Sequence, residues 1–346
     1  MIGRVVVLGQ WQRRDAAALV VDGRLEDLLI DPPGDGGLHP GAILRGVVDR
    51  PVKGQGGVFV KLPGGMGFLR QVSGLSPAQR VIVQVTGAAE EGKAVPVSLR
   101  VLFKSRLAIV TPGAPGLNIS RRIKDDDTRA ALQSLAADAM QGVAPDHGLI
   151  LRSAAEAAPD DDVAADIGAM RDLAAAVMAD VTGAPELLVE APGAHDTAWR
   201  DWSDPAPDAV ETGPDSFARL DIDTLIDALR SPEVALPGGG SMAIEPTRAL
   251  VAVDVNTGPD TSPAAGLKAS IAAARDLPRQ LRLRGLGGQI TIDFAPVPKK
   301  DRGTLEQVLR AAFRGEAAET TLAGWTPLGC FELQRKRDRP ALETLL

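Results

Sequence analysis

A strand–helix–strand pattern in the carboxyl-terminal third constrains the fold of this 346-residue chain more than any other feature. Residues 249–255 and 289–294 are near-continuous apolar runs, typical of strands buried on both faces of a sheet. An amphipathic run over roughly residues 266–283 lies between them. A right-handed crossover through that helix would make the two strands parallel and adjacent, or nearly so. We therefore predict an α/β domain in this part of the chain.

An aspartate lies near the end of each of these two strands. If the strands are neighbours, Asp254 and Asp293 lie on backbones about 4.8 Å apart and can share one cation. Mg²⁺ prefers oxygen ligands and keeps bound water, often using one or two carboxylates together with a substrate phosphate. Asn256 has the same side-chain direction as Asp254, so it could contact a phosphate or orient a carboxylate. Aspartates at strand ends are also common turn and cap residues, so the pattern alone leaves both interpretations open.

Length and composition limit the class of protein. A chain of 346 residues suggests two or three domains, and no run approaches the roughly 20 apolar residues of a membrane span. The single cysteine, Cys330, excludes an internal disulfide framework and a multi-cysteine zinc site. The first residues lack the features of a secretory signal, so we expect a reduced, cytoplasmic protein. The net charge of −7 does not indicate nucleic-acid binding, but three basic clusters favour local phosphate-binding patches: Arg121, Arg122 and Lys124; Arg279, Arg282 and Arg284; Arg335, Lys336, Arg337 and Arg339.

The amino-terminal part of the chain predicts β-structure. Short strands are expected near the start, and residues 41–100 have the period and turn spacing of a small antiparallel barrel. If the valines of residues 57–61 face inward, Phe59 faces outward, and the same alternation turns Phe68 outward. Exposed aromatic residues beside cations are what a single-stranded nucleic acid needs for base stacking and phosphate contact. The pattern is equally compatible with both phenylalanines pointing into the core.

The middle of the chain predicts a further α/β region. Residues 105–185 contain a strand that ends at Arg152 and an amphipathic helix that starts near residue 160. The segment 192–215 is rich in proline, aspartate and glycine, and predicts a loop or a weakly ordered linker. The three histidines are scattered, so neither a catalytic triad nor a histidine zinc site is supported.

Three long motifs resemble the bacterial ribonuclease E/G family. They are LPGGGSMAIEPTRALVAVDVNT at residues 236–257, RQLRLRGLGGQITIDF at residues 279–294 and GCFELQRKR at residues 329–337. The resemblance also covers residues 15–31, the barrel and residues 117–123. It therefore spans most of the chain.

The resemblance implies an α/β multidomain architecture. A ribonuclease-H-like domain would be split between residues 1–36 and 186–230, with an OB-fold RNA-binding barrel inserted at residues 37–104. A small α/β sensor domain for RNA 5′-phosphate would occupy residues 105–185, and a DNase-I-like catalytic domain would occupy residues 231–346.

The family's functional residues match positions of this sequence. The metal ligands for Mg²⁺ match Asp254 and Asp293, and the third catalytic residue matches Asn256. The RNA contacts of the barrel match Phe59, Phe68 and Lys93. The contacts to the 5′-phosphate match Arg121, Arg152 and Ser153, where serine replaces the usual threonine and keeps the hydroxyl.

The resemblance implies a magnesium-dependent endoribonuclease for rRNA processing or mRNA decay. It would cleave single-stranded RNA and leave a 5′-phosphate and a 3′-hydroxyl. Two alternatives remain open: an RNA-binding relative with weak or no catalysis, and a magnesium phosphohydrolase of small substrates. We expect RNA as the partner and no membrane span. A homodimer would have to form without the family's zinc link, because its cysteine pair is not found up to Leu346.

Overall fold

The computed structural model describes residues 2–34, 38–52, 56–70, 72–90 and 92–345. Within these ranges the chain is a mixed α/β protein with four β-sheets. Among the same residues, no helix has both the length and the apolar character needed to cross a bilayer.

Three antiparallel strands begin the chain: β1 (Arg4–Trp11), β2 (Arg14–Val21) and β3 (Arg24–Ile30). Their apolar side chains are buried on both faces of the sheet, because α-helices from later parts of the chain cover each side. The sequence predicted these strands, although the observed ones are longer.

A closed five-stranded barrel follows. Its strands are β4 (Ile43–Val52), β5 (Gly57–Leu62), β6 (Gly65–Arg70), β7 (Arg80–Val85) and β8 (Val95–Ser98). The sheet closes because β4 pairs with both β5 and β7, while β8 joins β6 to β7. Valines and leucines fill the interior. The barrel predicted from the turn spacing is confirmed, but it is not wholly antiparallel, because β6 and β8 pair in parallel.

A second α/β unit follows the barrel. Its sheet has the order β11-β12-β10-β9, and helices pack over it around a core of small and medium apolar side chains. The elements are β9 (Phe103–Lys104), β10 (Ala108–Thr111), β11 (Gly116–Ile119), α1 (Asp126–Ala139), β12 (Gly148–Leu151) and α2 (Asp160–Ala179). Short 3₁₀ turns lie at Ser153–Ala157 and, later in the chain, at Lys299–Asp301.

The segment predicted as a loop or linker is in fact structured. After β13 (Glu186–Val189), which pairs with β4, the chain forms α3 (Ala194–Trp202) and β14 (Ala209–Thr212). Strand β14 adds to the first sheet, parallel to β1. The prediction was wrong because Ala198 and Trp202 bury their side chains against the first sheet, which outweighs the local preference of the polar composition.

The carboxyl-terminal region contains the strand–helix–strand unit. After the short helices α4 (Ser216–Arg219) and α5 (Ile222–Ala228), a six-stranded sheet has the order β15-β16-β17-β18-β20-β19. Its elements are β15 (Glu233–Ala235), β16 (Ser241–Pro246), β17 (Val251–Asn256), α6 (Ala265–Leu283), β18 (Gly288–Asp293), α7 (Arg302–Phe313), β19 (Thr320–Trp325) and β20 (Phe331–Arg335), followed by α8 (Leu342–Leu345). Strands β17 and β18 are adjacent and parallel, as predicted.

These two strands are not buried on both faces. Along β17, Val251, Val253 and Val255 are buried, whereas the alternate residues are half-buried or exposed. The buried side packs on apolar residues of α6 and α7. The prediction was wrong because Ala252 and Thr291 fit an open sheet face as readily as a closed one. The sheet therefore has one open face, defined here as the side of β16, β17, β18 and β20 that is turned away from α6.

The first sheet packs against α6, so the two ends of the chain are in contact. The Arg279 guanidinium donates to the Leu25 carbonyl at 2.7 Å, and Arg339 donates to Asp27 at 2.7 Å. The division into domains stays a prediction, and its first boundary, between residues 36 and 37, lies outside the described residues.

Candidate metal centre and nucleic-acid surface

Asp254 and Asp293 lie side by side on the open sheet face. They are register partners in the parallel ladder of β17 and β18. Val253 and Ile292 point into the core, so the next residue on each strand points outward. Both aspartates are exposed, whereas strands buried on both faces of the sheet would have buried them. The register brings together the two residues that the sequence singled out for a metal.

Asn256 lies two residues after Asp254 on β17, so both side chains point to the same face of the sheet. Its amide Nδ2 donates a 2.7 Å hydrogen bond to Oδ2 of Asp254. Of the two roles expected for this residue, the bond supports the orientation of a carboxylate. One oxygen of Asp254 is engaged by Asn256, which restricts the carboxylate rotamer and leaves the other oxygen available.

The donor set fits a hard divalent cation. In the part of the chain that the structure describes, neither aspartate forms an ion pair with lysine or arginine, so no protein cation neutralises them. The same residues contain no group of three or more histidine, cysteine, aspartate or glutamate side chains suited to a metal. Two carboxylates that leave room for water and a phosphate oxygen are what Mg²⁺ commonly uses, whereas structural zinc needs four protein ligands.

A glycine turn holds the end of β17 in place. A Cβ added to Gly240 would lie 2.7 Å from the Asn256 carbonyl oxygen, and one added to Gly258 would lie 2.0 Å from the Gly239 carbonyl oxygen. Gly258 also has a φ of +63°, which favours glycine. The turn before β16 and the turn after β17 therefore pack backbone to backbone beside Asn256, and larger residues would separate them.

An aromatic cluster that the sequence analysis missed supports the end of β18. Phe294 follows Asp293 and packs on Trp325 with ring centroids 5.9 Å apart, while the Arg302 guanidinium lies 4.4 Å from the Trp325 ring. Among the described residues, Nε of Arg302 and Nε1 of Trp325 are buried without a hydrogen-bond partner. No sequence pattern predicted this cluster, because Arg302 and Trp325 lie in separate elements.

The barrel presents the expected aromatic pair. Phe59 and Phe68 are cross-strand partners with ring centroids 5.3 Å apart, and both are only partly buried. Their neighbours Val58, Val60 and Leu69 fill the barrel interior, so the rings point outward. The Arg50 guanidinium lies 5.9 Å from the Phe59 ring.

Lys93 lies on the loop before β8. Its Nζ pairs with Glu90 at 2.7 Å, and Glu90 also pairs with Arg337 at 3.0 Å. Hydrogen bonding from Lys93, opposed by partial burial and assisted by the charge of Arg337, holds the pKa of the Glu90 carboxyl below its usual range. The loop therefore links the barrel to the carboxyl-terminal region.

Two of the three residues expected to bind a 5′-phosphate, Arg152 and Ser153, have protein partners. Arg152 donates to the carbonyls of Ser105 and Arg200 at 2.8 and 3.0 Å, and to the Asp201 carboxylate at 2.8 Å. The Ser153 hydroxyl donates to Asp204.

Arginine 121 lies apart from these contacts. The side chain of Arg121 is exposed, and the ion pair to Asp204, at 3.4 Å, is formed by its neighbour Arg122. Sequence reasoning missed Asp201 and Asp204, because it assigned both to a linker.

Asp201 is the centre of a charge cluster. Burial raises its pKa, but hydrogen bonds and positive charge from Arg200 and Arg152 outweigh burial, so the pKa lies below the ordinary value. Lys104 lies near the same charged side chains. Its pKa is lowered, first by burial and then by the charge of Arg200, despite the nearby Asp201.

The model of the Ribonuclease E/G family matches residues 103–213 and 208–338. The chain therefore belongs to the Ribonuclease E/G family.

Curated relatives carry the same names. The chain is 28% identical to "Ribonuclease E" of Synechocystis sp. over 302 residues, which covers 76% of this chain and 44% of the relative. It is 27% identical to "Ribonuclease E" of Nostoc sp. over 382 residues, covering 94% and 55%. It is also 27% identical to "Ribonuclease G" of Salmonella typhimurium over 311 residues, covering 78% and 62%. The chain thus spans about half the length of these relatives.

Proposed function

We propose that this protein is a magnesium-dependent endoribonuclease that cleaves single-stranded RNA in RNA processing or decay. The observation that carries the proposal is the pairing of Asp254 with Asp293 in register. Both are exposed, and among the residues that the structure describes neither forms an ion pair with lysine or arginine. Such a pair attracts a divalent cation. Membership of the Ribonuclease E/G family supplies the class of substrate.

The roles of the chain's own residues follow from their positions. Asp254 and Asp293 would hold Mg²⁺, and Asn256 would fix the orientation of Asp254 through its hydrogen bond. When bound, Mg²⁺ polarises a phosphate and lowers the pKa of water. The open sheet face would leave room for an RNA backbone over both aspartates. We propose that cleavage leaves a 5′-phosphate and a 3′-hydroxyl.

The barrel would hold the RNA strand. Phe59 and Phe68 offer two partly exposed rings on which bases can stack, and Arg50 and Lys61 lie on the same outer surface to contact phosphates. Lys93 would add a further phosphate contact, although it must then share its charge with Glu90.

A cleavage assay with paired variants tests the proposal. Wild type and Asp254→Asn are incubated with an unstructured fluorescent RNA, with Mg²⁺ and with a chelator. We expect cleavage only with Mg²⁺, and a loss of at least roughly 100-fold in Asp254→Asn, since even partners of metal ligands contribute about 10–100-fold. Glu245→Gln is the control and should keep wild-type activity. Glu245 lies on the open sheet face, but its register partner on β17 is Ala252 and not Asp254. Equal rates for Asp254→Asn and wild type would refute the metal role.

An RNA-binding relative with weak or no catalysis is the second candidate. The observation that favours it is the aromatic pair on the barrel, since base stacking on these rings needs no metal. This candidate predicts RNA binding that weakens as salt is raised, with no Mg²⁺-dependent cleavage by the wild type. The assay above separates the two candidates directly.

A further inference from the structure

The turn between β19 and β20, residues 326–330, lies beside the candidate metal pair. Strands β18 and β20 are antiparallel, and Phe331, the first residue of β20, is the register partner of Ile292. The residues that precede Phe331 therefore run alongside Asp293, the last residue of β18, on a backbone about 4.8 Å away. The turn is at the edge of the sheet where the metal pair lies.

Leu328 is presented to solvent at the tip of this turn. Its exposed fraction is 96%, although leucine gains free energy by burial. The Thr326 amide donates to the Cys330 carbonyl at 2.7 Å, and the Gly329 amide donates to the Thr326 carbonyl at 3.1 Å. Gly329 has a φ of +103°, which favours glycine. The backbone that carries the leucine is therefore ordered before any ligand binds, which lowers the entropic cost of binding.

A guanidinium group packs against the same turn. A Cβ added to Gly329 would lie 3.3 Å from Nη2 of Arg302, and the Arg302 guanidinium lies 4.4 Å from the centroid of the Trp325 ring. In the part of the chain that the structure describes, Arg302 forms no ion pair and donates no hydrogen bond, and its Nε is buried. The ring holds the guanidinium in place, and no acceptor among these residues takes up its charge.

The segment from β18 to α7 adds positive charge at the same edge of the sheet. Lys299 and Lys300 are exposed, and among the described residues neither forms an ion pair. Asp301 is the one acidic residue in the sequence between 294 and 302. Cations and an exposed leucine beside a metal pair suit a ligand with negative charge and an apolar surface. A nucleotide of single-stranded RNA has both, in its phosphate and its base.

We propose that Arg302 and Leu328 form a nucleotide subsite beside the metal pair, in which Arg302 binds a phosphate of single-stranded RNA and Leu328 packs on a neighbouring base. Charge-assisted hydrogen bonds from a guanidinium suit the geometry of a phosphate. The subsite fixes which bond of the strand lies over Asp254 and Asp293, and so contributes to the choice of the cut. The inference rests on the proposed function, because it concerns how the same enzyme places its RNA.

A salt titration of RNA binding tests the phosphate contact without cleavage. Asp254→Asn protein is titrated, without divalent cations, with a short unstructured fluorescent RNA at several salt concentrations. Loss of one phosphate contact on a single strand lowers the slope of log affinity against log salt by about 0.7. We expect this decrease when Arg302→Gln is added, and an unchanged slope with Arg302→Lys, which keeps the charge. Arg310→Gln, an exposed arginine at the other end of α7, is the control and should keep the slope.

Leu328→Asn tests the base contact. Added to the Asp254→Asn protein, it should weaken RNA binding by roughly fivefold, which corresponds to about 1 kcal/mol of lost apolar burial, and leave the salt slope unchanged. With both aspartates intact, Leu328→Asn should redistribute the cut positions along an unstructured RNA. Ile2→Asn is the control, because Ile2 is 93% exposed and lies on another part of the fold. It should change neither the affinity nor the cut positions.

The outcomes separate the inference from the proposed function. An unchanged salt slope in Arg302→Gln would overturn the subsite, and so would wild-type affinity and wild-type cut positions in Leu328→Asn. A loss of affinity that Arg302→Lys shares with Arg302→Gln would assign the arginine to packing on Trp325 and would also overturn it. Absence of Mg²⁺-dependent cleavage by the wild type would refute the proposed function, while the binding measurements still decide the subsite.

Discussion

At the scale of single residues, the hydrogen bond from Asn256 to Asp254 orients one carboxylate of the candidate metal centre. Asn256→Ala removes the donor that holds one carboxylate oxygen. We expect RNA cleavage to fall by roughly 10–100-fold, with a higher Mg²⁺ concentration at half-maximal rate, because partners of metal ligands orient them. The measurement is the cleavage rate as a function of Mg²⁺.

A matched control is Gln289→Ala. Gln289 lies on the same open face as Asp293 but at the other end of β18. It should leave the Mg²⁺ dependence unchanged. If Asn256→Ala kept the wild-type Mg²⁺ requirement, the positioning role assigned to Asn256 would be excluded.

A second prediction at this scale concerns the aromatic pair on the barrel. Phe59→Ala should weaken the binding of single-stranded RNA by about 1–3 kcal/mol, the usual contribution of one stacked base, with little change in thermal stability. Fluorescence anisotropy with a short RNA measures the affinity. Trp199→Ala is the control, since Trp199 is another partly exposed ring with an arginine, Arg106, over it. An equal loss in both variants would show that the effect is not specific to the barrel.

At the scale of elements, α6 is tied to the first sheet by Asp276. This carboxylate accepts hydrogen bonds from Arg279 and Gln280 on its own helix and pairs with Arg24 on β3. Burial raises the pKa of Asp276, but these hydrogen bonds and charges outweigh burial and lower it. Its folded pKa is therefore below the unfolded value. The resulting stability is present above the unfolded pKa and is lost as pH falls through the folded pKa.

Asp276→Asn should reduce the free energy of unfolding at neutral pH by about 1–3 kcal/mol, the range for a partner lost from a buried charged hydrogen bond. Urea unfolding at pH 7 and at pH 3 measures the effect, and the difference from wild type should shrink at the lower pH. Asp172→Asn is the control, because Asp172 is 71% exposed on α2. A constant difference at both pH values would contradict the linkage.

The elements that the sequence predicted share one property: their pattern is local. The barrel strands, α2, α6 and the parallel pair β17 and β18 all follow from alternation, helical periodicity or turn residues. Element α3 was missed because its apolar residues bury against a sheet nearly 200 positions away in sequence, which composition cannot reveal. The same reason hid the contact of Asp201 and Asp204 with Arg152 and Ser153.

The candidate metal pair was predictable because it depends on local sequence patterns. Asp254 and Asp293 each lie on a strand that is evident from its own residues, and a single crossover rule makes the strands neighbours. Their exposure was not predictable. An apolar run of alanines, valines and a threonine does not indicate whether other elements cover the second face of the strand.

At the scale of the whole molecule, the barrel docks on the carboxyl-terminal region near Gly87. The Ala88 amide donates to the Arg337 carbonyl at 3.1 Å, and a Cβ on Gly87 would lie 2.4 Å from that oxygen. Gly87→Ala should shift the barrel relative to the metal pair. We expect RNA cleavage to fall several-fold, since small displacements of a bound substrate are costly, while RNA affinity stays within about twofold.

Gly168→Ala provides the comparison, because its added Cβ meets no atom within 4 Å. It should leave both cleavage and affinity unchanged. A Gly87→Ala variant with wild-type cleavage would show that the docking contact does not set the path of the RNA.

If the chain cleaves RNA as proposed, the open sheet face determines which RNA topologies can be substrates. A strand would then cross Asp254 and Asp293 sideways, because both side chains are exposed on the open sheet face. A closed circle of RNA, or a transcript whose two ends are locked in hairpins, can be laid across such a surface as easily as a linear fragment. On this proposal, cleavage can begin inside a transcript and does not depend on a free end.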